Sequence, residues 1–475
     1  MFWEIERVVC DGHGIYDGAE RRFVPYLQLL EQVSALEEVL RADRKRLVVL
    51  LCDNSLASLT GYLAALRAGH TVALTSVATD VSLRQRLFEI YAPEIILGVG
   101  PTTESSAGYG SVSSPVSGLT VAFAQRVSNA PIHPDTAVLL STSGTTGSPK
   151  LIRLSYRNVQ SNAEAIVKYL GISGAETAIT SLPMSYSYGL SVVNSHLLAG
   201  ANLVCTNAPV VAGEFWNLFA RRRCTSFAGV PFSYGILERL KFAQMDLPSL
   251  RTMTQAGGRL APEKIRLFGD IARRKGMKFY VMYGQTEATA RISYVPWERL
   301  PEKLGSVGIA IPGGTLRLEA EGEVITEPGV EGELVYEGPN VMLGYAETRG
   351  CLAKAVEMDG RLPTGDLGSR DADGFFYITG RLKRFIKVFG LRLNLDEVEK
   401  MLESKLSCSV ACVGKDESLH VLVESDNDAE VAEAKKHVVE LYKLHHSVIH
   451  AHRTSLLPVN ASGKKDYASV AHELR

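Results

Sequence analysis

The chain has 475 residues, too many for one compact core, and predicts two or three domains. Hydrophobic residues make up 46% and charged residues 22%, an ordinary globular balance, while 51 Lys and Arg against 52 Asp and Glu leave a net charge of −1. No global field therefore favours nucleic acid or an acidic membrane surface. Residues 1–7 lack a basic segment followed by an apolar core, which argues against a secretory signal. The most apolar region, residues 47–74, is interrupted by Asp53, Asn54, Ser55, Ser58, Arg67 and His70, so no integral membrane association is expected. Seven cysteines without a Cys-x-x-Cys pair read as reduced thiols in a cytoplasmic setting. Cys408 and Cys412 have no further Cys or His at finger spacing, so zinc is not expected there.

Residues 23–40 carry apolar side chains at helical spacing, and residues 46–51 read as a strand. Asn54 and Ser55 suit the cap of a helix running to Ala68, with Gly69 as its stop and residues 71–74 as the next strand. That β-α-β rhythm predicts a parallel sheet covered by helices. Residues 102–118, rich in Ser and Gly, read as a loose surface loop. A buried strand, residues 137–140, then leads into Ser141-Thr142-Ser143-Gly144-Thr145-Thr146-Gly147-Ser148-Pro149-Lys150. Such a loop offers backbone N–H groups, hydroxyls and one mobile cation, which suits a polyphosphate; by itself it also reads as a Ser/Gly-rich surface turn. It is not a Walker loop, because Gly-x-x-x-x-Gly-Lys-Ser/Thr does not occur.

Val159, Ala163, Ile166, Val167 and Leu170 predict an amphipathic helix ended by Gly171, its N-terminus expected close to the phosphate loop. Strand–helix alternation continues to about Tyr294, and turn-rich strand-like segments occupy residues 305–377. The C-terminal part changes character. A helix over 395–406, strands over 410–413 and 420–423 and a helix over 429–443 make a small α+β module, hinged near Leu382 and Lys383. No internal repeat is present.

Further motifs follow the loop in order: Ala256-Gly257-Gly258, Tyr283-Gly284-Gln285-Thr286-Glu287-Ala288, Thr364-Gly365-Asp366-Leu367-Gly368, residues 380–390 with Gly at both ends, and Pro458-Val459-Asn460-Ala461-Ser462-Gly463-Lys464. Together they resemble the adenylate-forming (ANL) superfamily of acyl-CoA synthetases, luciferases and peptide-synthetase adenylation domains, over about residues 23–467. The resemblance implies an α/β fold. Residues 1–382 would form a large N-terminal domain of parallel-type β/α layers with a small β-barrel-like subdomain near 305–377, and residues 383–475 a small mobile α+β domain.

The same resemblance implies roles for particular residues. Ser141, Thr142, Ser143, Gly144, Thr145, Thr146, Gly147 and Lys150 would hold the β- and γ-phosphates of ATP. Ala256, Gly257 and Gly258 would let adenine and the acyl carbonyl approach the backbone, and Tyr283, followed by Gly284, would stack on adenine. Thr286 would contact the α-phosphate and Glu287 would hold Mg²⁺, since a carboxylate beside phosphate needs a cation between them. Asp366 and Arg381 would hold the ribose. Lys383 would be the hinge, Lys387 and Arg392 would line the thiolation channel or orient phosphate, and Lys464 would bridge the substrate carboxylate and the α-phosphate. Leu151 stands where the family usually has Gly, and Ser155-Tyr156 where members often carry Thr-His.

Tyr186 takes the gate position of the acyl pocket, with Ser187 and Tyr188 facing the substrate. Relatives that activate amino acids place an Asp where Ser187 stands, so a buried ammonium would lack its counter-charge and an α-amino acid is disfavoured. The Tyr-x-Tyr-Gly-Leu pattern is similar to aryl-acid activators, with short and medium acyl chains left open. Arg291 either shortens the pocket or pairs with a polar or anionic tail, or else turns outward to solvent. His450 and His452 are expected on the exposed face of a strand over 447–456 rather than at a metal. Arg221, Arg222 and Arg223 end an amphipathic helix, where cations suit the dipole.

The implied reaction is attack of a carboxylate on Mg-ATP to give acyl-AMP and pyrophosphate, then transfer to a thiol. CoA is the first expected acceptor and carrier-protein phosphopantetheine the second. A non-catalytic protein that binds AMP or acyl-adenylate is the competing class, against which Glu287, Asp366, Arg381 and Lys464 argue. Expected partners are a small carboxylic acid and CoA or a carrier protein, with no nucleic acid, in a monomer or homodimer.

Overall fold

A computed structural model describes residues 1–99, 108–141, 150–382, 385–406, 408–458 and 467–474. Apolar runs dictate the first sheet. Leu47–Cys52 is buried along its whole length, as a strand covered on both faces must be. Its residues alternate: Val48 and Leu50 pack with the helices Tyr26–Leu40 and Leu56–Arg67, while Leu47, Val49 and Leu51 pack with Leu87 and Tyr91 of the helix Val81–Tyr91. Thr71–Ser76, Ile95–Val99 and Thr136–Ser141 extend this sheet in parallel, and antiparallel strands complete its eight. The edge strand next to Leu151–Ser155 is Gly344–Ala346.

A second sheet of nine strands contains a parallel run of Gly14–Asp17, Asn202–Cys205, Thr177–Ile179, Ser226–Gly229, Thr252–Gln255 and Lys278–Tyr283. Gly229 pairs with Gln255 and Gln255 with Val281, so two strands end at one level and the third runs two residues further, to Tyr283. Their carboxyl ends open onto a shared crevice, the usual place for a ligand in a parallel sheet. The strand-rich unit is an antiparallel sheet of five strands, in the order Glu323–Ile325, Thr315–Ala320, Gly332–Glu337, Arg361–Arg370, Phe376–Arg381. Beyond it, the hairpin Phe385–Val388 and Leu391–Asn394 precedes a three-stranded sheet packed with the helices Leu395–Leu406 and Asp428–Tyr442.

Four local expectations need correction. The first long helix starts at Tyr26 rather than residue 23, because Arg22–Pro25 pairs as a strand with Gly14–Asp17. Part of the expected loose loop, Tyr109–Val112, is an edge strand on Leu119–Ala124. The helix Tyr156–Leu170 does not begin beside the phosphate loop. Leu151–Ser155 first returns antiparallel to Thr136–Ser141, pairing Ser155 with Thr136, so the helix starts at the far end of that hairpin and its dipole cannot serve the loop. The strand expected over 447–456 is Ile449–Thr454, after a single 3-10 turn. No helix among the described residues is long and apolar enough to cross a membrane.

Candidate active site

The crevice at the carboxyl ends of the second sheet gathers the motif residues. Tyr283 closes its strand, and Gly284 follows where a side chain is impossible: a Cβ there would sit 2.0 Å from the carbonyl oxygen of Ala290. The chain can therefore fold back on itself, and Thr286 and Glu287 enter the cleft on one short turn. From the antiparallel sheet, Asp366 reaches the same cleft, where Tyr283 donates its hydroxyl to Oδ2 at 2.5 Å. Gln285 Nε2 donates to the same oxygen at 3.1 Å and to the carbonyl of Thr364 at 2.9 Å. Asp366 is thus fixed by two donors before any ligand arrives. Arg381 lies opposite Asp366 in the strand register.

Glu287 is 5% exposed and accepts a hydrogen bond from Tyr345 at 3.0 Å. Tyr345 comes from the edge of the first sheet, and Lys150 lies over its ring at 3.6 Å while approaching Glu347 at 3.8 Å. The end of the phosphate loop is in this way connected to Glu287 through one aromatic ring. Among the described residues no group of three or more His, Cys, Asp or Glu could hold a metal. Hard oxygen donors are present at Glu287 and Thr286, which fits Mg²⁺ completing its shell with phosphate oxygens and water.

One side of the cleft, formed by Tyr186, Ser187 and Tyr188, is largely aromatic. Ser187 Oγ lies 3.0 Å from Thr286 Oγ1, and Tyr188 bonds both Oγ1 and the carbonyl of Thr254, at 2.8 and 3.0 Å. Tyr186 lines the cleft, and Gly257 beside it has a φ of 81° and would bring a Cβ to 2.5 Å from the Tyr186 hydroxyl, which together favour glycine there. Burial pushes the Tyr186 phenol up to about 12 and Tyr188 further, so both stay neutral. Arg291 is 1% exposed with its guanidinium 4.0 Å from the Tyr188 ring, which excludes the solvent-facing alternative. From the C-terminal module, Lys387 and Gly390 line the same cleft, and the ring of Phe389 lies 4.5 Å from that of Phe232.

Several expected groups, namely residues 142–149, Lys383, Lys464 and the side chains of Arg381 and Arg392, fall outside the described residues. Ala256 and Gly258 flank Gly257 beside the cleft, with Lys387 reaching to 3.9 Å of a Cβ on Gly258. Sequence reasoning missed Gln285 and Tyr345. Gln285 lies inside a motif and could have been marked from its position between Tyr283 and Glu287; Tyr345 carries no local signal. His450 and His452 share a face with His420 as stacked rings; His450 is exposed, but His452 is half-buried rather than exposed. Arg222 covers the ring of Tyr16 at 3.5 Å.

Comparison with known proteins agrees with this geometry. The sequence pattern of the family described as AMP-binding enzyme matches residues 8–346. Indoleacetate–CoA ligase of Aromatoleum aromaticum is 32% identical over 287 residues, 60% of this chain and 55% of that protein. Sulfoacetate–CoA ligase of Cupriavidus necator is 33% identical over 275 residues, 57% of this chain and 53% of that protein. The matched region thus spans about half the length of these relatives. In three dimensions, o-succinylbenzoate CoA synthetase (MenE) of Bacillus subtilis, a double mutant bound with a product analogue, superposes with a TM-score of 0.80 at 21% identity, covering 99% of this chain and 98% of that one. With most of its length matched by one family pattern, the chain belongs to the AMP-binding enzymes of the adenylate-forming superfamily.

Proposed function

We propose that this chain is an AMP-forming acid–thiol ligase with CoA as acceptor. A carboxylate oxygen attacks the α-phosphorus of ATP, the bond to the β-phosphate oxygen breaks, and pyrophosphate leaves. A thiolate then attacks the acyl-AMP carbonyl, and AMP departs. Tyr283 and Asp366 position adenine and ribose, Thr286 and Ser187 present hydroxyls to the reacting oxygens, and Lys464 supplies the cation that lets two anions meet. Mg²⁺ held by Glu287 would supply charge neutralisation at the phosphates. Residues 383–475 turn about Lys383 between the two half-reactions, withdrawing Lys464 and admitting the thiol.

The observation that carries this reading is the convergence of Thr286, Glu287, Asp366, Tyr186 and Lys387 on one cleft from four separate parts of the chain. The CoA-ligase names of the relatives support CoA as acceptor. Acid-dependent exchange of labelled pyrophosphate into ATP, followed by a CoA chase with mass spectrometry, tests it. Acyl-CoA is the expected product. Acyl-AMP that persists in CoA but transfers to carrier phosphopantetheine would change the acceptor. AMP binding without exchange for any acid would leave only a binding protein.

A further inference from the structure

Three arginines are buried to a similar degree: Arg153, Arg291 and Arg349, at 0%, 1% and 8% exposure. Two of them are paired with a carboxylate, although the Nε of each is also buried without a partner. Arg153 donates to the carbonyls of Lys354 and Ala355 and pairs with Glu357 at 3.0 Å. Arg349 grips Glu94 through both terminal nitrogens, at 2.5 and 3.1 Å. Arg291 differs. Its Nε and Nη1 are buried without a hydrogen-bond partner, and no carboxylate among the described residues pairs with it.

The groups in contact with it carry no negative charge. Tyr188 presents a ring face and Tyr169 a hydrogen-bonding hydroxyl, and burial keeps the Tyr169 and Tyr186 phenols neutral. Nearby carboxylates are committed elsewhere: Glu176 to Thr225 and Arg251, Glu287 to Tyr345, Asp366 to Tyr283 and Gln285. A buried cation is costly unless paired with an opposite charge, and a ring face with one neutral hydroxyl replaces little of its lost hydration.

The backbone is strained to hold it there. Thr289 and Ala290 both have positive φ, 54° and 87°, which non-glycine residues adopt only when surroundings enforce it. Asn340 enforces it, donating to the carbonyls of Ala288 and Arg291 at 2.7 and 2.8 Å, while Thr289 Oγ1 donates to the Asn340 carbonyl at 2.7 Å. Asn162 donates to the Arg291 carbonyl at 3.3 Å. This clamp holds the backbone and leaves the guanidinium without a charged partner, among residues that line both the reaction cleft and a second, smaller pocket.

We propose that the acid activated here carries a second anionic group, a carboxylate or sulfonate on its tail, and that Arg291 receives it inside the acyl pocket. This rests on the acid-activating function above. The reacting carboxylate lies by Thr286 and the second anion pairs with the free face of the guanidinium, giving Arg291 the counter-charge that the protein itself withholds. An acid with an uncharged tail leaves the cation buried and unpaired, and is rejected for that reason.

The test uses a series of α,ω-dicarboxylic acids and ω-sulfo acids, each beside its uncharged counterpart, the monomethyl ester or matched monocarboxylic acid. Pyrophosphate exchange gives kcat/KM for wild type and for Arg291→Leu, and thermal melting is recorded without ligands. Wild type is expected to prefer the dianion of the fitting length by at least about 100-fold, with Arg291→Leu abolishing that preference. The ligand-free variant should melt no lower than wild type, because removing an unpaired buried charge relieves the apoprotein. Exchange with uncharged-tail acids alone, or a preference that Arg291→Leu leaves intact, overturns the anion site while the ligase reading stands. Absence of exchange for every acid, with AMP still bound, overturns the ligase reading instead.

Discussion

Tyr283 and Asp366, 83 positions apart, are joined by a 2.5 Å hydrogen bond in which the phenol donates to the carboxylate. The bond ties the end of a parallel strand to the antiparallel sheet and holds both residues at the cleft. Losing a hydrogen bond to a charged group costs roughly 1.5–3 kcal/mol. Tyr283→Phe is therefore expected to weaken AMP binding about 10- to 100-fold by calorimetry, and Asp366→Ala to weaken it more. Equal affinity in Tyr283→Phe and wild type would show that the pair does not position nucleotide.

In the proposed mechanism Lys464 serves adenylation and not thiolation. Lys464→Ala should lower acid-dependent pyrophosphate exchange by about 10²-fold or more, the usual cost of removing a group aimed at transition-state charge. Thiolation of supplied acyl-AMP should proceed at close to the wild-type rate in single-turnover measurements. Parallel loss of both half-reactions would contradict domain alternation.

Glu94 and Arg349 link the first sheet to the segment after its edge strand. Glu94 is 2% exposed, receives both arms of Arg349 and also accepts the backbone N–H of Leu47 at 2.7 Å. Removing one partner of such a pair leaves the other charge buried. Arg349→Ala is expected to destabilise the fold by about 3–5 kcal/mol. Urea unfolding of the two proteins measures it, and a loss below about 1 kcal/mol would place the pair in the weak, solvent-screened class.

The C-terminal module should loosen in acid. His420 Nδ1 and His452 Nε2 are 3.1 Å apart, a bond that needs one nitrogen unprotonated, and His450 stacks on His420 at 4.8 Å. Burial, followed by the neighbouring imidazoles, holds His420 and His452 below the ordinary histidine range. A lowered folded value means the unfolded chain binds protons more readily. Stability is thus fully present above about pH 6.5 and is lost as pH falls through the lowered values. Hydrogen-exchange protection over Ile449–Thr454, corrected for the intrinsic pH dependence of exchange, should fall in that window in wild type and respond less in His420→Asn. Identical pH dependence of the two proteins would remove the imidazoles as the cause.

Much of the site was legible because its motifs are local. Tyr283, Thr286 and Glu287 lie within one turn, and Gly284 is forced by a contact with Ala290 only six positions on. Gln285 was legible in principle by the same logic. Tyr345 was not, since it reaches Glu287 by way of an edge strand that pairs with Leu151–Ser155, and nothing near Tyr345 encodes that pairing. The helix Tyr156–Leu170 shows the opposite error. Its periodicity was readable, but its place was not, because the short antiparallel strand before it carries its start away from the phosphate loop.

By itself the sequence determined which elements form and which chemistry they bring, because periodicity, capping residues and Gly-rich motifs act over a few neighbouring positions. Tertiary structure decided which of those groups meet. Asp366 finds Tyr283 and Gln285 through sheet packing, and Arg291 turns inward because Asn340 and Asn162 hold a strained turn across long stretches of chain. Such contacts depend on how sheets and loops close over one another, and burial then sets the electrostatic cost that makes an unpaired arginine a receptor for an anion.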